Sequence, residues 1–384
     1  MATPTLSPSI PPTHPAVVIT AARAPLSTIS VPTEAPGPGE VLIHVLWTSS
    51  TPFDLHQSDG GLGIIPPHLA GGSFGGTVAQ LGEGAAAGAR LTVGDVVFGF
   101  DFRLPRARAH QTYLTTDAYM VSRLPAGLTL PEAVAVPANL VTAFHVTTAD
   151  LGLALPWPRP ADFNAGGDGG PTILVWGAAG SVGNYTLQVL RHWGYRNLLA
   201  VAAGKHHAHL RGLGARECFD YTRGDVAAEV LGYAGRAGGG ADGRPRIPYI
   251  IDCIGSLEGT VRPISRVAEP GATVAVMLPV IKRHTTEDVA PEFEMDVSKV
   301  LPGEWKEGVE LKGTRAFLYL QNELFKEHLQ ADIIPALLEQ GVIKPNKLKV
   351  VEGKTLLERA EGARKLLRNQ APSGEKLVWR VADE

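Results

Sequence analysis

Three glycines, Gly177, Gly180 and Gly183, follow an apolar run in the segment TILVWGAAGSVGNYTLQVLRHWGY. Their spacing suits a turn between a strand and a helix. The first permits a tight turn, the second lets the backbone approach a pyrophosphate, and the third lets the helix lie close on the strand. A helix opening near Ser181 aims free N–H groups and the positive end of its dipole at phosphate. The chemistry this fits is the holding of a dinucleotide, with Gly177, Ala178, Ala179, Gly180, Ser181, Val182 and Gly183 as its cradle. A glycine triplet alone is a weak signal, and its place after a strand and before a helix gives it weight.

The next strand ends in LLAVAAGKHHAH. An NAD site usually puts an acid there to bond the ribose hydroxyls. Here the residues are Ala202, Ala203 and Gly204, followed by Lys205 and His206. Nothing in that stretch repels a 2′-phosphate, and the basic groups attract one, so NADPH is the expected cofactor. A solvated helix start is the plainer reading of Lys205 and the histidines. Asp252, Cys253, Ile254 and Gly255 end another apolar strand, the place where ligands bind in parallel sheets. Cys253, Ile254, Gly255 and Leu278 are therefore assigned to the cofactor site, although a buried inert thiol is the default for a lone cysteine.

These residues need elements to position them. Strands are expected at Thr172–Trp176, Leu198–Ala202, Glu217–Asp220, Tyr249–Cys253 and Thr273–Met277, with a further one near Ala316–Leu320. Helices are expected at Asn184–Trp193, Lys205–Leu213, Asp225–Leu231 and Gly259–Val267. Apolar strands alternating with helices predict a parallel sheet covered on both faces. The first third reads instead as short strands: Ala16–Thr20, Val41–Leu46, Gly76–Leu81, Val96–Phe100 and Tyr113–Thr115. Such spacing suggests a small barrel or rolled sheet. Helical periodicity follows at Pro131–Ala149, and later at Glu323–Gln340 and Leu356–Leu367, before a last strand at Lys376–Val381. Surface loops are expected at Pro156–Gly170, where the composition offers nothing to pack, and in the Gly-rich stretch 232–246.

Composition narrows the partners. The chain has 384 residues and a formal net charge of -3, which gives no electrostatic case for nucleic acid or an anionic membrane. Its two cysteines, Cys218 and Cys253, cannot make a four-cysteine zinc site, and reduced cytosolic thiols are the simplest reading. The N-terminal MATPTLSPSIPPTHP lacks the pattern of a secretory leader, and no apolar run reaches about 18 residues. A cytoplasmic protein is expected.

The segments VLIHV with TPFD, LAGGSFGGTV, GDVVFG, LPAGLTLPEAVAVPANLVTA, VWGAAGSVG, LGARECFDY, IIDCIGS and SGEKLVWRV together resemble the medium-chain dehydrogenase/reductase superfamily. Within it the chain is similar to the zinc-independent quinone and enoyl reductases, and to fungal enoyl reductases that act in trans with polyketide synthases. The resemblance implies an α/β protein: a Rossmann doubly wound parallel sheet at 143–321, plus a GroES-like β-rich catalytic domain at 1–142 and 322–384. It also implies departures from the zinc-dependent members. Thr51 stands where those have a cysteine before Asp54, and Gly71, Gly72 and Ser73 stand where they have Gly-His-Glu. No metal site is expected, and His206, His207 and His209 fall on the helix assigned to the cofactor.

The same resemblance implies that Tyr221 helps hold the 2′-phosphate, that Ala203 replaces a serine, and that Thr142 faces the nicotinamide. His56 falls where the fungal enoyl reductases tend to carry a lysine, which makes it a candidate donor to the substrate oxygen. Tyr113 is a second candidate. Each has a plainer reading, a surface histidine and a core aromatic respectively. The implied reaction is NADPH-dependent reduction of an activated C=C bond in an enoyl thioester, enone or quinone. Alternatives are zinc-free alcohol/carbonyl interconversion, or a non-catalytic NADPH-binding partner of a biosynthetic complex. The substrate is a small molecule, free or as a carrier-bound acyl chain, in a cleft between domains shaped by Phe100–Gln111 and Leu278–Gly313. Arg103, Arg106 and Arg108 offer a dock for an anionic carrier, with a solvated basic loop as the simpler reading. Both a monomer and a homodimer fit.

Overall fold

The computed structural model describes residues 6–7, 9–85, 91–236 and 244–382. They fall into two compact units, one of Met1–Ala138, Thr285–Ala290 and Leu320–Glu384, the other of Asn139–His284 and Pro291–Tyr319.

The first unit opens with β1 (Thr13–Ile19), β2 (Ser27–Pro32), β3 (Glu40–Ser50), β4 (His68–Leu69), β5 (Ser73–Leu81), β6 (Val96–Phe100), β7 (Tyr113–Asp117) and β8 (Val121–Arg123). β3 is its spine. Val41, Ile43 and Val45 alternate into a core with Phe74, Val97, Leu114 and Trp379, as the two-residue period of a half-buried strand requires. β5, β7 and the C-terminal strand all pair antiparallel with β3.

The second unit carries β9 (Ile173–Trp176), β10 (Leu198–Val201), β11 (Glu217–Phe219), β12 (Tyr249–Asp252), β13 (Thr273–Met277), the hairpin β14 (Val280–Arg283) and β15 (Glu292–Glu294), and β16 (Glu310–Thr314). Six of these form one sheet in the order β11-β10-β9-β12-β13-β16, and every pairing in it is parallel. Numbered within the sheet, that order is 3-2-1-4-5-6, the doubly wound arrangement whose direction of winding reverses between its first and fourth strands. The reversal lies between β9 and β12. All four residues of β9 are buried, which is why the segment is apolar without alternation.

The chain then returns to the first unit with β17 (Lys347–Val350) and β18 (Glu375–Arg380), completing the sheet β17-β18-β3-β5-β6-β8. Thr285–Ala290 also belongs to this unit. Arg23 donates to the carbonyls of Val289 (2.8 Å), Thr286 (3.2 Å) and Glu287 (2.6 Å). The Thr285 hydroxyl donates to Asp59 (2.8 Å).

Several expectations are corrected. The last parallel strand is Glu310–Thr314, and Ala316–Gln321 is a short 3₁₀ turn. A half-exposed edge strand tolerates the polar sequence ELKGT, so apolarity pointed to the wrong segment. The helix expected over Pro131–Ala149 is two, Leu130–Val134 and Pro137–His145, followed by a wide turn at Val146–Asp150. Pro137 has no N–H to continue the first and suits the opening of the second. Glu323–Gln340 is likewise interrupted, by a wide turn at Leu329–Ile333. The Pro156–Gly170 loop does pack, since Trp193 donates its indole N–H to Pro156 O (3.0 Å). The helix Val226–Arg236 takes in the start of the expected Gly-rich loop, of which residues 237–243 lie outside the described residues. Among the described residues, no helix is long and apolar enough to cross a membrane.

Candidate functional site

The glycine turn sits at the carboxyl end of β9, where the sheet reverses. Gly177 has φ +74° and a Cβ there would meet Ile254 Cγ1 at 2.4 Å, so its conformation and its neighbour both demand glycine. At Gly183 a Cβ would lie 2.5 Å from Ala178 Cα, the helix being pressed against the turn. Gly180 precedes the helix Ser181–His192 in extended conformation. Its Cβ would meet Gly177 O at 3.2 Å, a tight backbone contact, and Ile254 Cδ1 at 3.8 Å, so packing constrains this position less severely than 177 or 183. Asn184 ties the turn together, donating to Ala178 O (2.8 Å) and Gly180 O (3.1 Å). Its oxygen meets His209 Nε2 at 2.8 Å, so His209 braces the turn.

Across the reversal, Asp252 shapes the end of β12. Its carboxylate accepts from Thr260 Oγ1 (2.6 Å), Ile254 N (2.9 Å) and Gly255 N (3.0 Å). Burial nonetheless pushes the carboxyl up to about 6, against those bonds. The chain here carries Cys253 and the exposed Ile254 to Gly177, while Gly255 O accepts from Ile281 N (2.6 Å). Burial raises the Cys253 thiol well above its usual value, which makes it a poor nucleophile. Leu278 covers Gly313 and donates to Thr314 O (3.3 Å).

At the ends of β10 and β11 stand Ala203, Gly204, Lys205, His206 and Tyr221. Lys205 is exposed, and Tyr221 is more than half exposed. Burial first, then Lys205 and the neighbouring histidines, lower the His206 pKa. The sequence showed no acid in this stretch, but the fold supplies one from the next strand: Asp220 Oδ2 lies 2.6 Å from where a Gly204 Cβ would be. That carboxylate already accepts from Thr222 N (2.9 Å) and Thr222 Oγ1 (2.7 Å), with Arg223 Nε at 3.6 Å.

Thr142 is buried in the helix Pro137–His145, and sequence reasoning missed a buried polar group in the turn that follows that helix. Asp150 accepts from Thr314 Oγ1 (2.7 Å) at the end of β16. Burial raises its carboxyl and lowers buried His145, despite their mutual attraction. No local pattern signals this group, because Thr314 is 164 residues from Asp150.

In the first unit, His56 lies half-buried in the helix Pro52–Gly60. Asp54 closes the start of that helix, accepting from Thr51 N (2.6 Å) and Thr51 Oγ1 (3.1 Å). Tyr113 stacks on His44 (ring centroids 4.9 Å) and meets His14 edge-on (5.7 Å), a packing position within the sheet. Burial raises its phenol. Among the described residues, no group of three or more His, Cys, Asp or Glu is placed to share a metal ion. The three arginines do not form a solvated basic loop. Arg103 pairs with Asp101 and Asp117 (2.7 Å each), Arg106 with Glu40 (2.6 Å) and Glu34 (3.4 Å), and Arg108 is buried.

Residues 37–145 match the alcohol dehydrogenase GroES-like domain. The trans-enoyl reductase tazE of Aspergillus terreus is 31% identical over 226 residues, 57% of this chain and 72% of that protein. The trans-enoyl reductase tndF of Aspergillus flavipes is 31% identical over 235 residues, 59% of this chain and 64% of its own length. The fold matches that of a quinone oxidoreductase of Pseudomonas syringae with a TM-score of 0.70, at 20% identity and covering 96% of this chain and 99% of that one. The chain belongs to the medium-chain dehydrogenase/reductase superfamily, a class of oxidoreductases.

Proposed function

We propose that this chain is an NADPH-dependent reductase of an activated C=C bond, in an enoyl thioester, enone or quinone, working without zinc. The observation that carries the reading is the turn at 177–183. Packing demands glycine at 177 and 183 and presses less hard at 180, where close approach of a pyrophosphate would add a further reason for it. The free N–H groups at the start of the helix Ser181–His192 then bond the phosphates. A 2′-phosphate would be met by Lys205 and Arg223; Arg223 lies 3.6 Å from the Asp220 carboxylate and offsets it, so Lys205 would be the positive charge left over.

A nicotinamide held here would supply the hydride that adds to the carbon β to the substrate's carbonyl. The chain's own residues orient it: Ile254 and Cys253 from the end of β12, and Thr142 beside the buried His145. His56 is the proposed donor to the oxygen that gains negative charge, a role for a group that changes charge near neutral pH. The absence of a zinc requirement rests on Thr51, Gly72 and Ser73, none of which is a plausible ligand where zinc-dependent relatives bind their metal.

The test is cofactor oxidation with crotonyl thioester, enones, quinones and ketones, run with NADPH and with NADH. Oxidation of NADPH by the thioester or an enone, unaffected by a chelator, supports the proposal. Turnover of ketones alone favours alcohol/carbonyl chemistry, and tight NADPH binding without turnover favours a non-catalytic partner. Exchanging Lys205 and Arg223 together for alanine is expected to weaken NADPH about tenfold, the effect of roughly 1.4 kcal/mol, and to leave NADH unchanged.

A further inference from the structure

Of the three arginines in the segment 103–108, Arg108 alone has no counter-ion in contact. It is 8% exposed, its Nε is buried without a partner, and among the described residues no side chain bonds its guanidinium. The two carboxylates whose fields reach it, Asp54 and Asp101, have their hydrogen bonds with other residues. Asp54 is held by Thr51, and Asp101 by Arg103 (2.7 Å) and Thr116 (2.7 Å). Two residues on, His110 is 5% exposed, and neither of its ring nitrogens has a partner. Packing fixes that ring. Trp379 lies against it at 4.5 Å between centroids. Gly71, at φ +87°, leaves room for it where a Cβ would come within 2.2 Å of His110 Cδ2. His68 adds another buried, unpartnered Nε2, and the field of Arg108 reaches both histidines.

A buried guanidinium without a partner is strongly destabilising, and each buried unpaired imidazole nitrogen adds a desolvation cost of its own. Protein interiors rarely leave several such groups side by side unless something else satisfies them. We propose that Arg108, His110 and His68 form a receiving site for an oxyanion, a carboxylate or phosphate group of a small molecule. A guanidinium presents two parallel N–H groups to either anion. The histidines, which burial pushes down to about 4, stay neutral at pH 7 and each donates one N–H without adding charge. Lys376, also buried, is drawn to Asp54, so one positive charge remains for the guest. The site lies wholly in the first unit and stands whether or not the nucleotide reading does.

The test is thermal unfolding of the full chain with inorganic phosphate, with crotonate, and with chloride at matched ionic strength. Phosphate or crotonate is expected to raise Tm by a few degrees over chloride, in proportion to binding. The gain should vanish in Arg108→Met and shrink in His110→Phe, which keeps the contact with Trp379. Response to phosphate alone identifies a phosphoryl group, and response to crotonate alone a carboxylate. If neither exceeds chloride, or Arg108→Met responds as strongly as the unaltered chain, the site does not exist. Should Arg108→Met not fold, phosphate-induced movement of the His110 ring resonances in the unaltered chain decides the same point.

Discussion

Two arginines in the first unit, Arg108 buried and Arg368 nearly so, have opposite surroundings. Arg368 bonds Asp59 through Nε (2.7 Å) and its terminal amino group (2.9 Å), and reaches Glu287 at 3.1 Å. Asp59 accepts from Thr285 as well, so its charge is fully engaged. Arg108 has none of this. The first pair is scaffold, since it fastens the helix Leu356–Arg368 to the helix Pro52–Gly60 and to Thr285–Ala290. A buried group left unsatisfied by its own chain points outward instead, to a guest.

The harshest way to break this comparison is to unpair Arg368. Asp59→Asn removes the buried carboxylate of this pair, leaving Arg368 only the exposed Glu287, and is expected to cost about 3 kcal/mol in urea unfolding. A loss under 1 kcal/mol would show that the pairing is not scaffold. Burial alone would raise the Asp59 carboxyl, but the bonds from Arg368 and Thr285 hold it below its usual value. Its stabilisation is therefore present above the unfolded pKa and disappears as pH falls through the folded one.

Asp252 sharpens the contrast with the opposite sign. It is buried with hydrogen bonds but no cation, and its carboxyl rises from 3.8 to about 6. Its contribution is full below 3.8 and is lost as pH rises through about 6, an amount of roughly 3 kcal/mol. Urea unfolding of the unaltered chain and of Asp252→Asn between those values should show this part of the slope only in the former. Parallel curves would mean that Asp252 does not titrate there.

The smallest effect is expected at Arg108. Arg108→Met exchanges an unpaired buried charge for an apolar side chain of similar reach, and stability without any oxyanion should stay level or rise by about 1 kcal/mol. A large loss in chemical unfolding would mean that Arg108 is scaffold like Arg368, and would end the comparison.

Much of the second unit was legible locally. β9, the glycine turn and the helix after it are contiguous, and Gly183 answers to Ala178 five positions before it, although Gly177 is also held by Ile254 from the end of β12. The site was legible only in part. Asp220 reaches Gly204 from another strand, and a reading confined to the end of β10 had no sight of it. The cluster of Asp150, His145 and Thr314 closes through the edge strand β16, whose polar sequence concealed it. Arg103, Arg106 and Arg108 look alike in a row of letters, and their separate fates depend on Asp117 and Glu40, which pair with the first two and leave the third unpaired.

By itself, the sequence determined the parallel sheet and the glycine turn after its first strand. Hydrophobic periodicity and glycine's freedom act over a few residues and need no knowledge of the rest of the chain. Only the tertiary structure decided which buried charges are paired. Arg368 meets Asp59 across 309 residues, and whether a guanidinium finds a carboxylate at the end of such a loop depends on the packing of every element between them.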